Sequence, residues 1–124
     1  MINLKKLNAW GSCGVDQQGI NGLNLTELDV GYNKKIKDAS FMTNLKKLDA
    51  SDVCGINQQG VKGLDPIELD ASYNKKINDI SFMTNLKILY AYGSYGIDQQ
   101  GIKGLDLIEL NIADNKKIKD RCLG

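Results

Sequence analysis

The 124-residue chain contains no histidine, and this absence narrows its chemistry. Histidine is the commonest general base and the commonest metal ligand in proteins. No glycine-rich phosphate-binding loop is present either, because the glycines recur with a repeat and so serve backbone geometry. We therefore expect no catalytic residue, no cofactor and no metal site, and we interpret the chain as a protein that is not an enzyme.

Long apolar runs and a surplus of charge are also missing. No run of about 18 apolar residues is present, which excludes an ordinary transmembrane helix, and residues 1–6 lack the apolar stretch of a signal peptide. The net charge is only +1, so bulk charge favours neither nucleic acid nor an anionic membrane as a partner. Three cysteines are too few for a disulfide scaffold. These features predict an intracellular protein.

A 41-residue repeat is the strongest feature that is present. The segment NLKKLDA at 44–50 echoes NLKKLNA at 3–9 and NLKILYA at 85–91. Within each unit, leucines recur at alternating spacings of 21 and 20 residues, at Leu7, Leu28, Leu48, Leu69, Leu89 and Leu110. We call the turns with Leu7, Leu48 and Leu89 the KKL turns, and those with Leu28, Leu69 and Leu110 the IEL turns. Residues 1–124 are therefore predicted to form one domain of three double repeats without obvious caps.

The IEL turns read LxxLxAxxNxxI or close to it, with an asparagine at Asn33, Asn74 and Asn115. This pattern resembles that of the leucine-rich repeat family. The segments NLKKLDAS and DISFMTNL further resemble repeat proteins encoded by giant viruses of amoebae. The family resemblance implies an α/β solenoid with six short parallel strands, near residues 4–9, 25–30, 45–50, 66–71, 86–91 and 107–112. It also implies that the asparagines hydrogen-bond the backbone of the turn that they close.

The return segments are predicted to be single helical or 3-10 turns, because they are too short for longer helices. In the KKL turns, helix-capping residues should open the segment and left-handed glycines should end it. These are Asp16, Asn57 and Asp98, and Gly22, Gly63 and Gly104. In the IEL turns, Asp38 and Asp79 should open the segment, and Asn44 and Asn85 should take the left-handed place of glycine. Phe41 and Phe82 are expected to fill the core from the convex side, with Leu123 equivalent in the last turn.

The corner after each KKL strand carries one extra residue, which indicates a bulge. Either the cysteine (Cys13 or Cys54) or its neighbour points inward there, and the sequence leaves this open. Because Cys13 and Cys54 lie two turns apart, roughly 10 Å, we expect no disulfide between them. With Cys122 near the other end, all three thiols are predicted to be unpaired within one chain.

The outward side chains of the strands should form three rows across the sheet. The charge row is Lys6, Glu27, Lys47, Glu68, Ile88 and Glu109, and its alternating signs favour cross-strand pairs. The aspartate row is Asn8, Asp29, Asp49, Asp70, Tyr90 and Asn111. The edge row is Trp10, Gly31, Ser51, Ser72, Tyr92 and Ala113. In the third unit Ile88, Tyr90 and Tyr92 break the pattern, and Tyr95 replaces the cysteine.

Tyrosine and tryptophan offer large contact areas at low entropic cost, so they are frequent at interfaces. Repeat drift explains these substitutions equally well, and register and solubility explain the charge row. We interpret the chain as a protein-interaction module that binds an unknown protein partner through its concave strand face. The predicted contact residues are Trp10, Ile88, Tyr90, Tyr92, Tyr95, Lys47, Asp49, Glu68 and Asp70. The alternative is a structural, self-assembling repeat unit, a fragment or an engineered array, that forms homo-oligomers through its uncapped ends.

Overall fold

The computed structural model describes residues 3–93 and 96–119 as a parallel-strand β-solenoid. Its six strands form one sheet in sequence order. They are β1 (Lys6–Asn8), β2 (Glu27–Asp29), β3 (Lys47–Asp49), β4 (Glu68–Asp70), β5 (Ile88–Tyr90) and β6 (Glu109–Asn111). Each strand lies inside its predicted range, and the strand leucines pair with one another across the whole sheet. The expected parallel solenoid is therefore confirmed.

Helix is scarce in the described residues. The first KKL return forms a four-residue helix, α1 (Gln17–Ile20), and the other two form 3-10 helices at Gln59–Val61 and Gln100–Ile102. The IEL returns contain turns without a helix in the part of the chain that the structure describes. The fold is thus a β-solenoid with minimal helix, and its stronger α/β character is not established. None of these helices is long enough to span a membrane.

The predicted helix caps of the KKL turns are present. The carboxylate of Asp16 accepts a hydrogen bond from the Gly19 amide at 3.0 Å, and the side-chain oxygens of Asn57 and Asp98 accept the equivalent bonds at 2.9 Å. The glycines that end these segments, Gly22, Gly63 and Gly104, are left-handed as predicted, with φ between 77° and 87°.

Left-handed backbone occurs elsewhere than predicted in the IEL turns. Asn44 and Asn85 are not among the residues with positive φ, so that prediction is wrong. Instead, the residue four positions after each strand leucine is left-handed in all six turns, at Gly11, Tyr32, Asp52, Tyr73, Gly93 and Asp114. The chain leaves its strand at this corner, so the sharp bend of the IEL turns lies there, whereas the KKL turns have a second left-handed residue at the end of the return segment.

The core contains a methionine where a phenylalanine was expected. Phe41 and Phe82 remain 39% and 38% exposed, whereas the adjacent Met42 and Met83 are fully buried. The prediction that the phenylalanines fill the core is therefore wrong. The backbone bonds Met42 N–H to Ala39 O and Met83 N–H to Ile80 O close a tight turn in each IEL return. Such a turn directs one of two adjacent side chains inward, and the unbranched methionine is the one selected. Leu123 lies outside the described residues.

A buried asparagine joins each IEL turn to the KKL turn before it. The Asn74 side-chain amide donates to the carbonyls of Ala50 at 2.8 Å and Ile56 at 3.1 Å, while its oxygen accepts from the Lys76 amide at 2.8 Å. Asn33 and Asn115 make the equivalent bonds. These bonds match the expected asparagine role, except that the two carbonyls belong to the preceding turn.

At the bulged KKL corner, the cysteine points inward and its neighbour points outward. Cys54 is 1% exposed, and its thiol donates to the Ala50 carbonyl at 3.3 Å, whereas Val53 is 58% exposed. Burial raises the pKa of the Cys54 thiol to about 11, which disfavours a reactive thiolate. Cys13 and Cys54 are both free, as predicted, and Cys122 lies outside the described residues.

A glutamine clamp, not foreseen from the sequence, holds each KKL turn to the next IEL turn. The Gln58 side-chain oxygen accepts from the amides of Asn78 and Asp79 at 2.8 and 2.9 Å, and its nitrogen donates to the Asp79 carbonyl at 2.7 Å. Gln17 makes the same three bonds to Lys37 and Asp38. The clamp thereby satisfies polar backbone groups of an IEL return that has no helix of its own.

The first prediction compares two adjacent side chains of the middle IEL turn. Met83→Ala should lower the free energy of unfolding by about 2–5 kcal/mol, because it leaves a cavity in a fully buried site. Phe82→Ala should cost clearly less, because its ring is partly in solvent. Urea denaturation of both variants measures the difference. A larger loss for Phe82→Ala would contradict the assignment of the methionine to the core.

The second prediction concerns the glutamine clamp. Gln58→Ala should cost about 1 kcal/mol, because it removes three solvent-exposed hydrogen bonds between the two turns. The exposed neighbour Gln59 is the matched control, and Gln59→Ala should change stability by less than about 0.5 kcal/mol. Equal urea midpoints for the two variants would show that solvent replaces the clamp without cost.

Candidate functional site

The exposed face of the parallel sheet is the candidate site, and we call it the strand face. It consists of the charge row, the aspartate row and the edge row. The strand pairing places Lys47 beside Glu68 and then Ile88, and it places Asp49 beside Asp70 and then Tyr90. Seven predicted contact residues, Lys47, Asp49, Glu68, Asp70, Ile88, Tyr90 and Tyr92, thus occupy three adjacent turns.

The charge row is largely neutralised within the protein. Lys6 pairs with Glu27 at 3.3 Å, and Lys47 pairs with Glu68 at 3.4 Å. Both pairs lie across neighbouring strands, with exposed lysines and partly exposed glutamates, and each contributes at most about 1 kcal/mol. Ile88 interrupts the series, so Glu109 lacks the lysine neighbour that Glu27 and Glu68 have. Glu109 instead accepts a hydrogen bond from the Tyr90 hydroxyl at 3.0 Å.

The aspartate row differs because its three carboxylates take part in no ion pair found among the described residues. Asp29, Asp49 and Asp70 lie side by side on β2, β3 and β4. Each carboxylate accepts a hydrogen bond at 3.0 Å from the amide two residues later, which fixes its direction. Like charges on adjacent strands repel one another, so this row is an uncompensated negative stripe.

Burial and mutual repulsion change the acidity of this stripe. Burial raises the pKa of Asp49 to about 6, and the neighbouring Asp70 and Asp29 add to the rise. Burial also raises the pKa of Asp70, with contributions from Asp52 and Asp29. Ionised carboxylates held at such a cost interact favourably with any cation that approaches them. A positive charge close to the stripe would reduce this electrostatic cost.

Aromatic side chains lie at both ends of this stripe. Tyr90 and Tyr92 lie together after Asp70, with ring centroids 6.4 Å apart. Trp10 lies at the other end, four strands from Tyr92, where its ring packs against Tyr32 at 5.1 Å and over Gly31. The small residues Gly31, Ser51 and Ser72 occupy the edge row between them. Trp10 is therefore not part of the tyrosine cluster, and Tyr95 lies outside the described residues.

The first three strands also bound an open depression of about 450 Å³. Lys47 and Asp49 belong to its lining, together with Asn8 and Asp29 of the aspartate row. A depression of this shape suits a segment lying across the strands better than an enclosed small molecule. In the described residues no group of three or more histidine, cysteine, aspartate or glutamate side chains is placed to hold a metal ion.

The structure adds three exposed residues that the sequence analysis missed. Tyr32, Val53 and Tyr73 are 45%, 58% and 43% exposed along the corner beside the edge row. Tyr32 and Tyr73 are left-handed, a conformation that is uncommon for bulky residues and costs roughly 1–2 kcal/mol. Their spacing of 41 residues was visible in the sequence. Their exposure was not, because it depends on the corner geometry.

Comparison with family models, curated proteins and solved structures gave no significant match to this chain.

The third prediction concerns Asp49. Its folded pKa lies above its usual value, so the folded state binds the proton more tightly than the unfolded state does. The ionised carboxylate therefore destabilises the fold above about pH 6, and this cost disappears as the pH falls from 6 towards 4. Asp49→Asn should raise the free energy of unfolding at pH 7.5 by about 1 kcal/mol, a value reduced for the solvent that still reaches the carboxylate.

The same change should flatten the dependence of stability on pH between about 4 and 6. Asparagine already fills this row at Asn8, whose side chain makes the same bond to the amide two residues later, so the local structure should persist. Chemical denaturation at several pH values measures both effects. The exposed Asp106→Asn is the control, and loss of stability in Asp49→Asn at pH 7.5 would contradict the prediction.

Proposed function

We propose that this chain is a leucine-rich repeat-type solenoid that binds a partner protein through its strand face and performs no catalysis. The IEL consensus and the buried asparagines support the family assignment. The polar strand face and its open depression favour recognition of a protein segment over chemistry on a small substrate. The fold alone carries no function, so the proposal rests on the composition of this face.

One observation carries the proposal: within the described part of the chain, three neighbouring aspartates form no ion pair, while two lysine–glutamate pairs form in the adjacent charge row. If the aspartate row served only to keep the protein soluble, its charges would be expected to alternate in sign, as those of the charge row do. We therefore propose an extended partner segment that crosses the strands and carries lysine or arginine. Charge complementarity of this kind sets specificity and association rate at protein interfaces.

The tyrosines and Trp10 would supply the apolar part of this contact. Tyr90 and Tyr92 adjoin Asp70, so one basic residue and one apolar residue of the partner can be bound side by side. Aromatic residues often provide the largest single contributions to binding energy. Lys47 and Glu68, already paired with each other, are proposed to form the rim of the contact.

The fourth prediction tests charge recognition with a displayed library of extended peptides, of which half carry lysine or arginine. Peptides that bind the protein should be enriched in basic residues. Asp70→Asn should weaken the selected peptides by about tenfold, which corresponds to about 1.4 kcal/mol. Tyr90→Ala should weaken them at least as much, because it removes an aromatic contact. Fluorescence anisotropy measures both losses.

Asp106→Asn is the matched control, because it removes the same charge from a largely exposed side chain before β6. It should leave binding within about twofold. Binding should also weaken with added salt and as the pH falls below about 6, where Asp49 becomes protonated. Selection of acidic or uncharged peptides, or an equal loss in Asp106→Asn, would refute the proposed strand-face function.

A further inference from the structure

We propose that the outer surface of the first KKL turn binds the last described IEL turn of a second copy, so that copies stack head to tail. This inference does not depend on the strand-face proposal, because it uses the two edges of the sheet and not its face. The occupant is a second copy of this chain. The contact between the two copies would continue the turn-to-turn contacts inside the solenoid.

The two outer strands have a neighbour on one side only. Among the described residues, β1 pairs with β2 alone and β6 with β5 alone, whereas every strand between them has two partners. At the internal contact of β2 with β3, the Lys46 and Lys47 amides both donate to the Thr26 carbonyl at 2.7 and 3.1 Å. The equivalent amides of Lys5 and Lys6 and the equivalent carbonyl of Ile108 are the groups that stacking would join.

The order of the turns fits such a contact. Each internal IEL turn is followed by a KKL turn, and the described turns begin with KKL and end with IEL. Stacking would therefore repeat the internal register of Leu28 with Leu48 and of Leu69 with Leu89. Leu110 would then face Leu7 of the second copy.

Charge and burial agree with this register. Lys6 of the second copy would lie beside Glu109, the glutamate that has Ile88 where the others have lysine. Leu7, Leu110 and Ile112 are only partly buried, although the equivalent strand leucines of the inner turns are at most 2% exposed. A second copy would cover this apolar surface and add to the hydrophobic stabilisation.

Two glycines of the first KKL turn, Gly14 and Gly19, shape its outer surface for contact with an IEL turn. In the inner KKL turns, Gly60 and Gly101 are buried because the preceding IEL turn approaches so closely that an added Cβ would overlap the carbonyl oxygens of Lys37 and Asn78. The equivalent Gly19 is exposed, and an added Cβ there would meet Val15 at an ordinary 3.4 Å. Gly14 likewise has open space around it. The first turn thus has the surface that accepts an IEL turn, but the fold of the first turn itself does not require glycine there.

Gly19→Ala tests this inference sharply, because it should spare the single copy and obstruct the contact. Gly19 lies inside α1 with a φ that is not positive, so alanine should leave the urea midpoint unchanged or raise it. Sedimentation of the wild-type chain across concentrations up to high micromolar should show a mass that keeps rising beyond a dimer, as head-to-tail contacts require. Gly19→Ala should lower the association constant by more than about tenfold.

Gln18→Ala is the matched control, because Gln18 is the exposed neighbour of Gly19 and makes no recorded hydrogen bond in the described structure. It should associate like the wild type. A wild-type chain that stays monomeric, that stops at a dimer, or that associates equally well with Gly19→Ala would overturn the inference. The strand-face proposal would survive each of these results, because peptide binding is measured separately.

Discussion

The structure depends on one repeated interaction, the buried side-chain amide of Asn33, Asn74 and Asn115. Both hydrogens of this amide go to carbonyls of the preceding KKL turn, and its oxygen accepts an amide of its own turn. A buried carbonyl without a partner costs roughly 1–3 kcal/mol. Each asparagine therefore gives two carbonyls of the preceding turn a side-chain partner and fixes the distance between two turns. In the described residues no buried side-chain nitrogen or oxygen lacks a partner.

The two kinds of contact between neighbouring turns are stabilised by different interactions. From KKL to IEL, the asparagine works inside the core and the glutamine clamp works outside it. From IEL to KKL, buried glycines let one backbone approach another directly. The two turn types are consequently not interchangeable, because the KKL turn contacts the next turn through a glutamine side chain, whereas the IEL turn contacts the next turn through closely packed backbone. This alternation explains why the true period is 41 residues.

Because interactions in the interior and in the return segments hold the turns together, the outward side chains of the strand face are free to vary. Its charge row still contributes to the sheet through ion pairs, but the aspartate row is held in place at an electrostatic cost. The left-handed tyrosines add a second cost at the neighbouring corner. Costs that stability does not require are often found at binding surfaces. The proposed partner surface and the proposed stacking surface thus differ in their physics, since the first relies on charge and the second on backbone and apolar contact.

Much of this arrangement is readable from the sequence because it depends on short periods. The strand positions, their register, the three outward rows and the KKL helix caps follow from residues at fixed spacing around each strand leucine, and the role of the asparagines was implied by the resemblance to leucine-rich repeats. The strand residues of the candidate site, from Lys47 to Tyr90, were found in the same way. Alternation in a strand allows only two directions for a side chain, so a pattern of leucines fixes the other face as well.

Tertiary structure alone decided several side-chain and backbone directions in the returns and at the corners. It buried Met83 in place of Phe82, made Tyr32 left-handed in place of Asn44, and joined Gln58 to a neighbouring turn. These segments lack a regular period, so the direction of a side chain there is set by the turn stacked against it. Contacts between turns, some 20 residues apart in the chain, therefore determined the parts that no local pattern specifies.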